Sequence, residues 1–397
     1  MNIILIDKSE SQKIGGVVVF TKRLYDYLTR KGHTVHILRF TNQKPKEKYI
    51  IPIPYHYAEG RSFIFIPSEK TPSLIKKYLQ KIHPDIVYTA IGLSPMDFLL
   101  PNICHELGLP IAGIWHGDFN WKEGSYQILS KSLFLAFLPL CRQLDLLHVF
   151  SEKMGKFYQD KGVKSDRILI LPNGVDTAFY TPGPSEFAQK AKIGLGILFL
   201  GRVTLQKNPE VLIKSFLSLD PPKTTKLILV GQGELKTDLK QKYKDNRIIF
   251  TGLVSDEVKK RDIMRACRIF VLPSRFEGLS LALLEAMSIG LACITSDAGS
   301  NMETLNDSGI VIGGSHLSSH LPFALNLLLK NPDIIDIFAH KARQRAISHH
   351  SQDKIFAQLE KELEKTIQKF ARSPHPKSQY MSIPDIPERI KKILQYI

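Results

Sequence analysis

Short apolar runs alternate with amphipathic stretches along most of this chain. In the first half the apolar runs are Asn2–Ile6, Val35–Phe40, Ile86–Tyr88, Ile111–Trp115, Leu147–Phe150 and Ile168–Leu171. Such continuous runs are typical of parallel strands buried on both faces. Between the first two runs, residues 17–30 carry apolar side chains at helical spacing, and Gly32 follows as a left-handed stop. The pattern predicts a βαβ unit at the start of a parallel sheet.

The pattern breaks once and then repeats. Turn residues cluster at 172–174 and 181–184. Beyond them a second series of apolar runs comprises Ile197–Leu200, Leu227–Val230, Ile248–Phe250, Ile269–Leu272, Ala292–Thr295 and Ile310–Ile312. A chain of 397 residues also exceeds the roughly 250 to 300 residues at which one hydrophobic core stops growing. We predict two tandem doubly wound, Rossmann-like α/β domains, at residues 1–178 and 190–350.

The end of the chain departs from this alternation. Residues 352–370 carry apolar side chains at helical spacing, which predicts an amphipathic helix at 351–371 that packs back toward the first domain. Residues 372–397 are interpreted as a basic tail, broken by prolines before a short apolar-faced segment.

Composition narrows the class of protein. With 43% hydrophobic and 23% charged residues, the chain is typical of a folded globular protein rather than a disordered or coiled-coil one. Its longest uncharged apolar stretch, residues 132–141, is about half of the ~20 residues that a spanning helix needs, and no secretory signal is readable. The four cysteines lie far apart without a CxxC pair, which matches neither a disulfide framework nor a zinc site. We expect a cytoplasmic protein that can lie peripherally at the inner face of a membrane.

The positive charge is concentrated near the start. The net charge is +16, and residues 1–83 hold 15 basic and six acidic side chains. A basic excess favours an anionic partner such as nucleic acid, a phosphorylated substrate or an acidic lipid surface, although scattered solubilising lysines give the same sum. No zinc spacing, aromatic RNA-binding run or helix-turn-helix pattern accompanies it, so nucleic acid is not expected.

Two carboxylates follow a predicted strand of the second domain. Glu277 and Glu285 lie in the stretch PSRFEGLSLALLEAM at 273–287, and residues 278–289 are expected to form a helix. Ligands of open α/β sheets bind at the carboxyl ends of strands, where helix starts favour anions. Because Glu277 and Glu285 are a little over two helical turns apart, both can face one ligand. The alternative is a Glu277 that interacts with the helix dipole and a solvated Glu285.

Two cations follow the first strand of the same domain. Arg202 and Lys207 lie between this strand and Pro209, which is typical of a helix start. Above a strand end they have the chemistry to neutralise a leaving diphosphate. Gly231 and Gly233 end the next strand and allow a backbone to approach a nucleotide, although many tight turns carry the same pattern.

Together these motifs resemble a known family. The order Gly15-Gly16, Asn173-Gly-Val-Asp176, Gly201-Arg202 with Lys207, Gly231-Gln-Gly233, and Glu277 with Glu285-Ala-Met287 is similar to the retaining glycosyltransferases of family 4, the group 1 enzymes with the GT-B fold. The resemblance spans residues 1–371 and is stronger in the second domain. It implies an active site in the interdomain cleft and transfer of a sugar from a nucleotide diphosphate sugar.

The resemblance also implies roles for the carboxylates and their loop. Glu285 looks like the glutamate that holds the donor's ribose hydroxyls, and Glu277 like the one beside the transferred sugar. Backbone amides directed at sugar and phosphate oxygens are implied for Gly278, Leu279 and Ser280. Gly231 and Gly233 would line the donor site.

Further roles follow from the same resemblance. Arg202 and Lys207 would stabilise charge on the diphosphate. Gly15 and Gly16 resemble a glycine loop of the first domain that faces the donor phosphates. His116 falls where the family often places a histidine near the donor sugar, although a lone histidine after a strand is otherwise structural.

Three positions depart from the family's pattern. Ser280 stands in place of a second glycine after the glutamate, Asn208 in place of a glycine after the lysine, and Leu291 in place of a proline. None of these changes removes a charge. The two replaced glycines flank the sugar and phosphate loops, so the donor's identity stays open.

The expected chemistry needs no cofactor and no metal. The chain contains no DxD triplet, so cations and amides would balance the diphosphate charge, and the resemblance implies that the leaving phosphate takes the acceptor's proton. The expected acceptor is a glycan or a lipid-linked sugar at an anionic membrane surface, in cell-surface polysaccharide or glycolipid biosynthesis. Alternatives are a GT-B epimerase, a phosphorylase-like enzyme, or a non-catalytic protein that binds nucleotide sugars or nucleic acid.

Overall fold

The two series of apolar runs belong to two separate structural units. The computed structural model describes residues 1–7, 16–45, 47–59, 64–92, 94–116 and 137–373. One unit comprises Met1–Pro172 together with the chain from Phe356 onward, and the other comprises Asn173–Ile355. The division at Pro172 lies six residues before the predicted end of the first domain at 178. Residues 374–397 of the predicted basic tail lie outside the described residues.

The first unit is built on a parallel sheet. Its strands are β1 (Asn2–Asp7), β2 (Thr34–Phe40), β3 (Ile50–Ile53), β6 (Ile86–Ile91), β7 (Ile111–Trp115), β8 (Leu146–Val149) and β9 (Ile168–Ile170), with a separate hairpin of β4 (Tyr55–Glu59) and β5 (Ile64–Pro67). The helices of this unit are α1 (Gly16–Arg30), α2 (Thr71–Ile82), α3 (Pro95–Glu106), α4 (137–143), α5 (Glu152–Asp160) and most of α14 (Gln352–Arg372). The strand order is β3-β2-β1-β6-β7-β8-β9.

The second unit repeats this plan. Its strands are β10 (Leu195–Leu200), β11 (Thr225–Val230), β12 (Ile248–Gly252), β13 (Ile269–Leu272), β14 (Ala292–Ser296) and β15 (Gly309–Ile312), in the order β12-β11-β10-β13-β14-β15. Its helices are α6 (Glu186–Lys190), α7 (Pro209–Ser218), α8 (Lys236–Lys242), α9 (Glu257–Arg265), α10 (Leu281–Ile289), α11 (Asn301–Leu305), α12 (Leu317–Lys330) and α13 (Pro332–His349). The prediction of two doubly wound α/β domains is confirmed.

Strand β3 and the β4–β5 hairpin were not predicted from the sequence. Strand β3 contains Pro52, which cannot donate to a ladder, and the run is short. The strand lies at the edge of its sheet, which is where a proline can be accommodated. Its register is parallel to β2, with Ile50 opposite Ile37.

The terminal helix α14 packs on the first unit. The ring of Phe356 lies 5.7 Å from that of Phe20 on α1. Glu360 accepts a hydrogen bond from Tyr27 at 3.0 Å and lies 2.7 Å from Nε2 of His33. One apolar and one polar contact therefore join α14 to α1, and a second polar contact joins it to the turn after α1.

The described part of the apolar stretch 133–140 belongs to the core. Phe137, Leu138 and Leu140 are buried, and the ring of Phe137 lies 4.7 Å from that of Phe98 on α3. Residues 133–136 lie outside the described residues. Across the described ranges, no helix has both the length and the apolar character that crossing a bilayer requires.

Candidate functional site

The candidate residues of the second unit follow two adjacent strands. Strands β10 and β13 are hydrogen-bonded neighbours although two strands separate them in the chain. This is the point where the strand order reverses, and in open α/β sheets the crevice at such a point binds ligands. The loop 201–208 follows β10 and the loop 273–280 follows β13. The topology therefore brings the two predicted motifs to one edge of the sheet.

Lys207 and Glu277 form an ion pair across these loops. Nζ of Lys207 donates to Oε1 of Glu277, and the two side chains are 14% and 6% exposed. The buried Ser274 hydroxyl donates to the same carboxylate oxygen at 2.7 Å. A carboxylate held by a cation and a hydroxyl has a fixed orientation and keeps further acceptor positions for a ligand.

Arg202 is tied to the same two loops through a glutamine. Its guanidinium donates to Oε1 of Gln206 at 2.6 Å, and Nε2 of Gln206 donates to the carbonyl of Phe276 at 3.2 Å. The amide of Arg275 also donates to the carbonyl of Gln206 at 2.8 Å. Arg202 itself is exposed, so its charge is available to an incoming anion.

The helix after Glu277 begins later than predicted. It starts at Leu281 rather than at Gly278, because the hydroxyl of Ser280 caps it by accepting from the amide of Leu283 at 3.4 Å. Gly278 and Leu279 are therefore loop residues, and their amides have no hydrogen-bond partner within the described part of the chain. Open amides beside a helix start are a favourable setting for an anion.

Glu285 lies on α10 and is paired with a lysine that the sequence did not single out. Nζ of Lys260 on α9 lies 3.3 Å from Oε1 and 3.1 Å from Oε2 of Glu285. The side chain of Glu285 is only 5% exposed. The alternative of a solvated glutamate is therefore wrong, since this carboxylate is buried and paired.

Gly231 and Gly233 pack against the loop after β10. A Cβ on Gly231 would lie 1.8 Å from the carbonyl oxygen of Gly201, and one on Gly233 would lie 2.3 Å from that of Val203. Both distances are impossible for a side chain. The glycines are thus required for two loops to lie side by side, and nucleotide contact by them stays a prediction.

The three departures from the family's pattern have local explanations. Asn208 has φ of 49°, a left-handed conformation that asparagine tolerates better than most residues. Ser280 supplies the helix cap already described. The amide of Leu291 donates to the carbonyl of Ala286 at 3.0 Å, a bond that a proline could not make.

The Asn173–Asp176 motif is a structural junction of the second unit. Nδ2 of Asn173 donates to the carbonyl of Leu279 at 3.4 Å, and Val175 pairs through its backbone with residues 350 and 352. Oδ1 of Asp176 accepts from the amides of Ala178 and Phe179, which makes a tight turn. The motif therefore holds the start of the unit against the loop 278–280 and the start of α14.

His116 follows β7 in the first unit and is surrounded by aromatic rings. Its ring centroid lies 5.2 Å from that of Phe20 and 5.5 Å from that of Phe150. Burial, together with the neighbouring His148, lowers the pKa of His116 to about 3, so the ring is neutral at pH 7. Its Nε2 is buried without a hydrogen-bond partner among the described residues. Gly16 opens α1, and Gly15 lies outside the described residues.

Sequence reasoning missed Ser274, Gln206 and Lys260. Ser274 and Gln206 lie inside the predicted loops, so each was adjacent to a chosen residue, but a serine or glutamine in a loop carries no distinctive signal. Lys260 lies in a helix rich in charged residues and has no motif around it. Within the described ranges, no group of three or more His, Cys, Asp or Glu side chains is placed to hold a metal ion.

Comparisons with known proteins agree with this arrangement. Residues 14–179 match the family model described as Glycosyltransferase Family 4, and residues 194–331 match the model described as Glycosyl transferases group 1. A galactosyltransferase of Escherichia coli that acts on GlcNAc-diphosphoundecaprenol is 29% identical over 315 residues, 72% of this chain and 77% of that protein. EpsF of Bacillus subtilis is 29% identical over 226 residues, 54% of this chain and 56% of its own length. The match thus spans little more than half of EpsF.

Solved structures share the fold. HepE of Anabaena in complex with UDP has a TM-score of 0.72 at 16% identity and covers 92% of this chain and 100% of its own. WaaG, a glycosyltransferase involved in lipopolysaccharide biosynthesis, has a TM-score of 0.68 at 16% identity over 91% of this chain and 99% of its own. Both family models match, and the candidate residues occupy the strand ends at which such sites are built. The chain therefore belongs to the group 1 glycosyltransferases of family 4 and has the GT-B fold.

Proposed function

We propose that this enzyme moves a sugar from a nucleotide diphosphate sugar to a hydroxyl of a glycan or lipid-linked acceptor, with retention of configuration. The observation that carries the proposal is the junction of the loops after β10 and β13. There Lys207 pairs with Glu277 beside the open amides of Gly278 and Leu279. A cation and open amides suit a diphosphate, and a fixed carboxylate suits sugar hydroxyls.

The donor is held at both ends by carboxylates. Glu285 accepts from the ribose hydroxyls, and Glu277 accepts from hydroxyls of the sugar to be transferred. Gly231, Gly233 and Ser280 line the space around them. This division of labour is supported by the different partners of the two carboxylates, since Lys207 and Lys260 belong to different elements.

Charge on the leaving group is balanced by the protein. As the bond between the anomeric carbon and the phosphate oxygen breaks, negative charge grows on the diphosphate, and Arg202 and Lys207 stabilise it with the amides of Gly278 and Leu279. The acceptor oxygen bonds to the anomeric carbon on the same face, and its proton passes to the departing phosphate oxygen. No side chain has to act as general base.

The family resemblance implies that the first unit binds the acceptor and also carries residues for the donor. In this proposal Gly15 and Gly16 serve the donor phosphates, and Nε2 of the neutral His116 makes one hydrogen bond to the donor sugar. No metal ion and no cofactor take part. Chelation with EDTA is therefore expected to leave the rate unchanged.

A lipid-linked acceptor is supported by the charge of the first 83 residues and by the E. coli relative, whose acceptor is linked to undecaprenol. Two of these basic side chains, Lys22 and Lys76, make surface ion pairs with Asp26 and Glu106. Each basic side chain that reaches an anionic surface adds about 1 kcal/mol. Co-sedimentation with anionic and neutral vesicles at low and high salt tests this: binding indifferent to lipid charge would rule out electrostatic docking.

The transfer itself is tested with a panel of UDP-, GDP- and ADP-sugars. One donor is expected to be hydrolysed slowly alone and consumed faster with a lipid-linked sugar, and the anomeric configuration of the product is read by NMR. An inverted product would refute retention. Interconversion of nucleotide sugars without any acceptor would instead favour an epimerase, and stable binding without any turnover would favour a non-catalytic protein.

A further inference from the structure

Lys260 occupies a buried position between two carboxylates. It lies on α9, and its ammonium is close to both oxygens of Glu285 on α10, at 3.1 and 3.3 Å. The same ammonium lies 2.9 Å from Oε1 of Glu257, one turn earlier on α9. The Lys260 side chain is 12% exposed, whereas that of Glu257 is 48% exposed. The lysine thus connects a buried carboxylate to one at the surface.

A tyrosine fixes the outer end of this cluster. The hydroxyl of Tyr180 donates to Oε2 of Glu257, and the Tyr180 ring centroid lies 5.3 Å from the ammonium of Lys260. The backbone carbonyl of Tyr180 accepts from the Ser288 hydroxyl at 2.5 Å and from Arg343 at 2.8 Å. The ammonium is therefore held by an aromatic ring and two carboxylates, and it has few other orientations.

We propose that Lys260 is a positioning residue for ribose recognition, which holds the Glu285 carboxylate oriented so that it accepts from the hydroxyls of the donor's ribose. This inference rests on the proposed function, because it assumes that Glu285 meets a nucleotide. It extends that function to a residue outside the two motif loops, on the helix that precedes β13.

The acceptor capacity of the carboxylate permits this role. An ionised carboxylate has about four lone-pair positions, and the Lys260 ammonium approaches each oxygen once. One ammonium therefore does not exhaust the acceptor capacity of the carboxylate. Without the ammonium, the carboxylate loses the partner that approaches both of its oxygens. It is then free to rotate, and its acceptor oxygens no longer match the positions of the ribose hydroxyls.

If the Lys260–Glu285 pair were purely structural, its removal would affect nucleotide binding differently than if Lys260 positions the carboxylate. Loss of a structural pair would loosen the packing of α9 against α10 and weaken the binding of every nucleotide equally. Loss of a positioning residue weakens the binding only of those nucleotides whose ribose hydroxyls donate hydrogen bonds to the carboxylate. The ratio of affinities for a ribonucleotide and its deoxy counterpart separates the two.

The experiment compares UDP, GDP and ADP with their 2′-deoxy counterparts by isothermal titration calorimetry. The neutral variants are Lys260→Met and Lys260→Gln, the charge-retaining variant is Lys260→Arg, and the matched control is Lys259→Met, an exposed lysine on the same helix. Circular dichroism melts of each variant establish that it is folded. Two neutral variants of different polarity are used so that failure of one to fold does not decide the result.

For the diphosphate that wild type binds most tightly, each folded neutral variant is expected to lose about tenfold in affinity, the loss of a charged hydrogen bond. The 2′-deoxy counterpart, which keeps only one of the two hydroxyls, should lose less affinity, so the preference for ribose falls. Lys260→Arg should retain most of the preference, and Lys259→Met all of it.

Two results would overturn the inference and leave the proposed function standing: equal weakening of both nucleotides, or an unchanged ribose preference in the neutral variants. A wild-type protein that binds none of the three diphosphates would refute the proposed function, and this inference with it.

Discussion

His148 in the first unit and two charge pairs in the second unit are buried near strand ends, and they differ in their chemistry. In the first unit His148 is fully buried and neutral, because burial lowers its pKa to about 4. One ring nitrogen bonds the hydroxyl of Tyr88 and the other the carbonyl of Leu171, each at 2.7 Å. The second unit buries two oppositely charged pairs, Lys207–Glu277 and Lys260–Glu285. The first unit also has such a pair near its strand ends, between Asp7 and Arg39.

This difference separates stability from function. A buried neutral histidine with both nitrogens bonded stabilises its surroundings and carries no charge that a ligand could use. A buried ion pair is weak evidence for stability, because removing two charges from water costs about as much as their attraction returns. Two such pairs at one end of one sheet are better explained by ligand binding. The contrast predicts that substitutions in the two charge pairs of the second unit reduce activity more than stability. A substitution of His148 should reduce stability more than activity.

The largest effect is expected from Lys207→Met. Removing a cation that meets growing charge on the diphosphate should lower kcat about a hundredfold, with a smaller change in donor KM. Steady-state kinetics with the donor selected by the nucleotide-sugar panel measures both constants. Lys240→Met, at an exposed lysine of α8, is the control. A kcat within twofold of wild type would show that the Lys207–Glu277 pair is structural.

A somewhat smaller effect is expected from Glu285→Gln. The amide keeps the shape of the side chain but loses the charged acceptor, so affinity for the nucleotide diphosphate should fall by about ten- to a hundredfold. Calorimetry measures it against Glu186→Gln, an exposed glutamate with a surface partner. Unchanged affinity would remove Glu285 from the donor site.

The first unit should instead respond to pH. Unfolded His148 takes up a proton near the usual pKa of 6.5, whereas the folded residue does so only near 4. Its contribution to stability is thus present above pH 6.5 and is lost as the pH falls toward 4. Burial also lowers the pKa of His350 in the second unit to about 4. The measurement therefore has to distinguish unfolding of the first unit from unfolding of the second.

Tryptophan fluorescence provides that readout, because both tryptophans, Trp115 and Trp121, belong to the first unit. Urea unfolding at pH 7.0, 5.5 and 4.5 should show a falling free energy of unfolding. His148→Gln should be less stable at pH 7 by about 1 to 3 kcal/mol, since a buried partner is left unpaired, and should lose less stability on acidification. A variant with the same pH slope as wild type would contradict this account.

The smallest effect is expected at Asn208. Its left-handed backbone predicts that Asn208→Ala destabilises the second unit by about 1 kcal/mol, while Asn208→Gly stays within a few tenths. Differential scanning calorimetry of the two variants side by side tests the sign. If alanine were tolerated as well as glycine, the positive φ would not be what selects the residue.

How much could be predicted from the sequence depended on how local each feature is. The strands of both sheets could be predicted because a strand covered on both faces needs an unbroken apolar run. Strand β3 and the β4–β5 hairpin were missed, since Pro52 interrupts the apolar run of β3 and β4 carries no such run. Glu277, Glu285, Arg202 and Lys207 were found because motif spacing and strand ends are visible along the chain. The start of α10 was placed three residues early, because Ser280 acts as a cap only once the backbone before it has turned.

The sequence by itself determined that this chain forms two sheets and that cations and carboxylates follow particular strands. Only the tertiary structure decided which charge meets which. Lys207 reaches Glu277 across 70 residues because β10 and β13 are neighbours in the sheet, and Lys260 reaches Glu285 because α9 packs beside α10. Gly231 is required because the carbonyl of Gly201 lies where a side chain would be. Strand order and loop packing are global properties of the folded chain, so no local pattern around either partner contains them.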